Sequence, residues 1–116
     1  ITKRYPWLVY EKDGGILGYC YASKWRDRSA YRHTAEVTIY VRNGCGGKGA
    51  GTKLYTELLC RLRDMNVHAV MSVIAQPNEG SVKLHESFGF RNVGSFREIV
   101  RKFDAWIDVG YWELIL

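Results

Sequence analysis

Two prolines, three cysteines and no apolar run near the ~20 residues of a spanning helix set the first limits on this 116-residue chain. The short apolar runs exclude an α-helical membrane protein, and no signal-peptide pattern opens the sequence. Cys20, Cys45 and Cys60 make no C-x-x-C pair and no zinc-ligand spacing, so no metal site is expected. An odd number of cysteines in a small domain argues against a disulfide scaffold. They read as free thiols of a reducing compartment, with Cys45, in a glycine-rich stretch, the one candidate for a catalytic thiol. Repeats, low-complexity tracts and linkers are missing as well, so residues 1–116 read as one cytoplasmic domain.

What is present describes a globular protein: 47% hydrophobic and 25% charged residues, with a net charge of +5. A basic surface speeds capture of anions. The lysines and arginines are scattered rather than blocked into a tail, so nucleic acid is not the expected partner, and a phosphorylated small molecule is served equally well.

Short β-rich runs at Trp7–Tyr10 and Ile16–Ser23 flank Lys12-Asp13-Gly14-Gly15 and predict a hairpin. Residues 24–33 read as a charged, aromatic loop. A third strand, Ala35–Val41, alternates Val37, Ile39 and Val41 with Glu36, Thr38 and Tyr40. Leu54, Leu58, Leu62 and Met65 then recur at helical spacing, widened by Leu59. Ala69–Ile74 has the apolar, β-branched character of a buried central strand, broken by Gln76-Pro77-Asn78. A short helix, Ser81–Phe88, is closed by Gly89, and strands at Val93–Phe103 and Val109–Leu116 finish the chain. The order β-β-β-α-β-α-β-β predicts an α/β (α+β) fold: a mixed, mostly antiparallel sheet flanked by helices.

Asn43-Gly44-Cys45-Gly46-Gly47-Lys48-Gly49-Ala50-Gly51 joins a strand to a helix. The first N–H groups of a helix lack intrahelical partners, and its dipole favours an anion there. Glycines allow close backbone approach, Lys48 adds charge and Thr52 a hydroxyl, so 46–52 could cradle a pyrophosphate. It matches neither a P-loop nor the dinucleotide fingerprint. On its own, the stretch reads equally as a flexible turn.

Gly46-Gly47-Lys48-Gly49-Ala50-Gly51 resembles the acetyl-CoA pyrophosphate loop of the GNAT superfamily of N-acetyltransferases, Gln/Arg-x-x-Gly-x-Gly/Ala. Asn78-x-x-Ser81-x-x-Leu84-His85-x-x-x-Gly89-Phe90 is similar to that superfamily's next signature. Arg28-x-x-Tyr31-x-x-Thr34-Ala35-Glu36 and Trp106-x-Asp108-Val109-Gly110-x-Trp112 resemble the phosphinothricin and methionine sulfoximine acetyltransferases. Two departures stand out: Gly46 replaces the loop's leading Gln/Arg, and the family's opening strand and two helices, which wall one side of the acceptor site, precede anything present here.

The resemblance implies acetyl transfer from acetyl-CoA to the amino group of a small amino-acid analogue, by direct attack and without metal, in a homodimer. Glu36 matches the family's proposed base, and His85 the position of a general acid or proton relay. Gly46, Gly47, Lys48, Gly49, Ala50, Gly51 and Thr52 would hold the pyrophosphate. Ile39, Tyr40 and Val41 would face the pantetheine arm, while Asn78 and Ser81 would lie near the cofactor. Arg26, Arg28 and Tyr31 would meet the acceptor's acidic groups. Each residue also has a plainer reading: Glu36 as a solvated strand carboxylate, His85 as a structural histidine, Asn78 as a helix cap, the arginines as a solvated loop. Trp106, Tyr111 and Trp112 read as core or interface aromatics. An acyl-CoA-binding module without turnover, or a GNAT enzyme for another amine, are the rival readings.

Overall fold

The computed structural model describes residues 5–42 and 49–116. Six strands and two helices follow in the expected order: β1 (Trp7–Lys12), β2 (Gly15–Lys24), β3 (Thr34–Val41), α1 (Ala50–Asp64), β4 (Ala69–Ala75), α2 (Glu79–Ser87), β5 (Arg91–Lys102) and β6 (Ala105–Ile115). Within the segment expected to be loop, Ser29–Tyr31 forms a 3-10 turn.

Strands β1 and β2 form the hairpin that Asp13-Gly14 signals, with both residues in the left-handed region. At the tip of the β5–β6 hairpin the same conformation falls on Phe103 and Asp104. The sheet order is β1-β2-β3-β4-β6-β5. Every pairing is antiparallel except β3 with β4, which run parallel through the crossover helix α1.

That parallel pairing is short. Thr34, Ala35 and Glu36 pair with Ala69, Val70 and Met71, and there the ladder stops. Strand β3 continues to Val41 on the arm of β2, and β4 continues to Ala75 on the arm of β6. The sheet therefore opens into a fork whose apex is the Glu36–Met71 pair. Beyond it, the β3 edge at Ile39–Val41 has no β4 partner.

The core lies on one face of this sheet. The stripe on α1 buries Leu54, Leu58, Leu59 and Leu62 against Cys20, Ala22, Ala35, Val37, Val70 and Ile74. Leu58 is fully buried. Leu58→Ala should lower unfolding stability by about 2–5 kcal/mol, read as a shifted urea midpoint at unchanged slope. Helix α2 joins the same face, because Tyr55 of α1 packs edge-on against His85 and Phe88. On the other face, Trp7, Tyr19, Tyr21 and Tyr40 form a run of stacked and tilted rings.

Gly51 lies where these parts meet. A Cβ on it would lie 2.9 Å from Leu84 of α2 and 3.8 Å from Ile39 of β3. A larger residue there would have to displace the Leu84 side chain, so the glycine lets the first turn of α1 pack close to α2.

Candidate active site

Strand alternation decides which groups reach the fork from which side. On β3, Ala35 and Val37 face the helices, so Glu36 faces away. On β4, Val70 and Ser72 face the helices, and Met71 shares Glu36's face. Glu36 therefore stands at the apex on the helix-free face.

Beside it opens a cleft of about 590 Å³, lined by Arg26, Met71, Val93 to Phe96, Ile99 and Tyr111. A bulge in β5 shapes its rim. Three residues, 97–99, oppose the single Asp108 between the Phe96–Val109 and Val100–Ile107 pairs, with Glu98 in the left-handed region. The Glu98 N–H donates to Asp108 Oδ1 at 2.9 Å, which fixes the bulge and turns Phe96 and Ile99 toward the cleft.

Arg26 is held by its neighbours. Its guanidinium lies 3.9 Å from the Trp25 ring centroid and donates to the Trp25 carbonyl at 2.8 Å. Trp25 in turn meets Tyr111 edge-on at 6.2 Å. Partial burial raises the Glu36 carboxyl above its ordinary value, and the positive charge of Arg26 works against that rise. A carboxylate shifted this way is a better proton acceptor than a free one, and it adjoins a cleft able to take an anionic molecule with an apolar arm.

On the helix face the fork is backed by a buried polar group. His85 of α2 is 1% exposed. Its Nδ1 lies 2.7 Å from the Ser81 carbonyl, a pure acceptor, so Nδ1 carries the hydrogen. Nε2 lies 2.7 Å from the Tyr55 hydroxyl and 2.8 Å from Ser72 Oγ. Burial pulls the imidazole below its ordinary value, opposed by the hydrogen bond to Ser81, so it stays neutral. His85 is thus a fully bonded core histidine, placed behind the fork.

Gly49 enters α1 in the left-handed region and offers no side chain to cap the helix. No acidic residue sits in the first turn, so the amides near Ala50, Gly51 and Thr52 remain suited to an anion. Gly46, Gly47 and Lys48, together with Cys45, lie outside the described residues. Ile39, Tyr40 and Val41 occupy the open arm of β3, where an extended ligand could pair with the backbone. Asn78 caps α2 by accepting the Ser81 N–H at 3.1 Å.

Of the three residues expected at the acceptor, the structure brings Arg26 to the cleft. Arg28 and Tyr31 are exposed at the 3-10 turn and are not among the cleft-lining residues. Tyr111, read as a core or interface aromatic, lines the cleft instead, while Trp112 enters the core and Trp106 is exposed. Met71, Phe96, Ile99, Tyr55 and Ser72 were not singled out from sequence. Ser72 carries a signal: a lone hydroxyl in the apolar run Ala69–Ile74 must find a partner when buried. Among the described residues no cluster of His, Cys, Asp and Glu could hold a metal ion, and no helix is long and apolar enough to cross a membrane.

The sequence pattern of the acetyltransferase (GNAT) domain matches residues 1–110. This chain belongs to the GNAT acetyltransferase family. Phosphinothricin N-acetyltransferase of Streptomyces coelicolor is 40% identical to this GNAT domain over 125 residues, covering 96% of the chain and 73% of that protein. The L-methionine sulfoximine/L-methionine sulfone acetyltransferase of Salmonella typhimurium is 34% identical, covering 97% of the chain and 66% of that protein. A GNAT superfamily phosphinothricin acetyltransferase from Sinorhizobium meliloti, solved in complex with acetyl-CoA, superposes with a TM-score of 0.90 at 33% identity. That match covers 97% of this chain and 61% of the other. The GNAT chain described here thus spans about two thirds of the length of these relatives.

Proposed function

We propose that this GNAT domain transfers the acetyl group of acetyl-CoA to the primary amine of a small amino-acid analogue such as phosphinothricin or methionine sulfoximine. The observation that carries this reading is the fork. Its apex places a carboxylate of raised proton affinity on the cleft face, and a neutral, bonded histidine on the helix face.

The residues fit acetyl-CoA. The uncapped start of α1 and its glycines suit the pyrophosphate, with Lys48 adding charge. The open edge at Ile39–Val41 suits the amides of the pantetheine arm, which would extend the sheet as a strand does. Asn78 and Ser81 flank the turn into α2 near the reacting end. Across the fork, Arg26 receives the acceptor's carboxylate or phosphinate, and Met71, Phe96, Ile99 and Tyr111 enclose its side chain. Arg28 and Tyr31 act at the cleft's outer approach.

In the reaction the amine nitrogen bonds to the thioester carbonyl carbon and the carbon–sulfur bond breaks. One proton leaves the nitrogen for Glu36, and one proton ends on the sulfur, so the net change is a proton moved from amine to thiol. His85 and its hydroxyl partners supply the hydrogen-bonding side of the fork, against the charge that builds there. The two roles, base and donor, lie on opposite faces of the sheet.

We further propose a cytoplasmic homodimer. Phe103 and Trp106, 97% and 59% exposed on the β5–β6 hairpin, are apolar surface that a second copy would cover.

Thiol release from acetyl-CoA, measured with phosphinothricin and with methionine sulfoximine, tests the reading. Acceptor-dependent release supports it. Acetyl-CoA binding without release in the presence of either acceptor would replace it with a binding module or an enzyme for another amine. Arg26→Met should raise the acceptor KM and move the acidic limb of kcat/KM to higher pH, because the charge that restrains the Glu36 carboxyl is gone. Both readings come from one pH series.

A further inference from the structure

Strand β5 presents three apolar side chains to the cleft at a spacing that a regular strand cannot deliver. Val93, Phe96 and Ile99 all line it. Side chains alternate along a strand, so residues three apart point to opposite faces. Two irregularities resolve the conflict. The register slips by one residue between Asn92 and Gly94, and Val93 falls between the pairs. It slips again between Phe96 and Val100, where residues 97–99 oppose Asp108 alone. The three side chains are about half exposed, at 49%, 52% and 54%, so together they form an apolar wall open to a ligand.

The second irregularity is held from outside the strand. Glu98 has a φ of 54°, a conformation that glutamate seldom adopts, and its N–H donates to Asp108 Oδ1 at 2.9 Å. Asp108 is itself anchored, because its carbonyl accepts the N–H of Gln76, just past the end of β4, at 2.8 Å. The carboxylate is thus a fixed post to which β5 is tied at Glu98. Without that bond nothing offsets the cost of the left-handed residue, and the strand can relax toward an alternation that parts Ile99 from Phe96. We propose that Asp108 is a positioning residue for acceptor selection: through Glu98 it keeps Ile99 in the cleft wall, and the wall limits the apolar arm an acceptor can carry. This rests on the acetyl-transfer reading and names what restricts its substrate. Within Trp106-x-Asp108-Val109-Gly110-x-Trp112, the aspartate then serves through its oxygen rather than its charge.

Asp108→Ala removes the carboxylate and leaves the backbone bond to Gln76 in place. The test compares methionine sulfoximine with its homologue carrying butyl in place of the sulfur-bound methyl. The ratio of kcat/KM, butyl over methyl, should rise about fivefold or more in Asp108→Ala, with KM for acetyl-CoA within about twofold. Ile99→Ala should move the ratio the same way. The double variant should shift it no further than the larger single, because Asp108 acts through Ile99. Asp108→Asn keeps an oxygen that accepts the Glu98 N–H and should restore the wild-type ratio. An unchanged ratio in Asp108→Ala, shifts that multiply in the double variant, or an asparagine variant as altered as the alanine one would each overturn the proposal. Thermal melts identify any variant that has failed to fold. If Asp108→Ala is one of them, Asp108→Leu, similar in size and without an acceptor, takes its place.

A second measurement needs no turnover. The Glu98 amide hydrogen should exchange with solvent about tenfold more slowly in the wild type and in Asp108→Asn than in Asp108→Ala, because only the first two hold it in a bond. Equal exchange in all three sinks the idea even if the enzyme is active. Should the wild type release no thiol with any amine, the acetyl-transfer reading fails, while exchange at Glu98 still decides whether Asp108 holds the wall.

Discussion

Glu36→Gln should lower kcat at neutral pH by about 10²- to 10⁴-fold, the range expected for a lost general base, and leave acetyl-CoA binding nearly unchanged. Stopped assays of thiol release and equilibrium binding of acetyl-CoA check the two halves separately. The folded pKa of Glu36 lies above its ordinary value because burial disfavours the charge. In the wild type, kcat/KM should therefore climb as pH passes through this raised value, and that limb should be absent in the glutamine variant. Stability should move the other way. A carboxyl with a raised folded pKa contributes stability below its unfolded pKa and loses it as pH rises through the folded one. At neutral pH the ionised Glu36 is thus a cost to the fold. Glu36→Gln should melt no lower than the wild type while being far less active, which separates a functional carboxylate from a structural one.

His85→Ala carries the largest expected effect on the fold. It removes a ring packed edge-on against Tyr55 and Phe90 and takes from the buried Tyr55 and Ser72 hydroxyls the acceptor they share. Cavity and orphaned polar groups together should cost about 3–5 kcal/mol, or on the order of 10–20 °C in Tm. The pH dependence provides a second signature. Burial holds the folded imidazole below its unfolded value of 6.5. The unfolded chain then binds the extra proton first, so the stability due to neutral His85 is present above 6.5 and lost as pH falls toward the lower folded value. Melting curves from about pH 7 to about pH 5 should fall more steeply for the wild type than for the alanine variant. Parallel curves would mean that His85 does not titrate in this way.

Much of this architecture could be read from residue order, for reasons that particular elements make plain. Leu54, Leu58 and Leu62 announce α1 because a helix returns to one face every three or four residues. The run Ala69–Ile74 announces β4 because a strand with partners on both sides needs few polar atoms. What periodicity does not carry is where a pairing ends. Nothing between Thr34 and Val41 marks Glu36 as the last residue bonded to β4, because the fork is a relation between distant segments. The bulge at residues 97–99 was hidden for the same reason. It shifts the β5 register after Phe96, so alternation along β5 alone does not tell which side chains reach the cleft. On β6, neighbouring aromatics part company by alternation, Trp112 into the core and Tyr111 into the cleft, and residue type alone does not separate them. Glu36 and His85 were picked out by motif; only coordinates place them on opposite faces.

Three residue pairs join β1–β3 to β4–β6, and that has a mechanical consequence. The sheet behaves as two stiff leaves on a short seam, with α1 bracing one side. A strand-like molecule laid along Ile39–Val41 acts as a splint, completing the span the protein's own chain leaves open. Binding energy then doubles as folding energy, growing as RT ln(1 + [L]/Kd) with ligand concentration. A cell rich in that ligand would hold a stiffer protein than a starved one, with the same sequence and no change of fold.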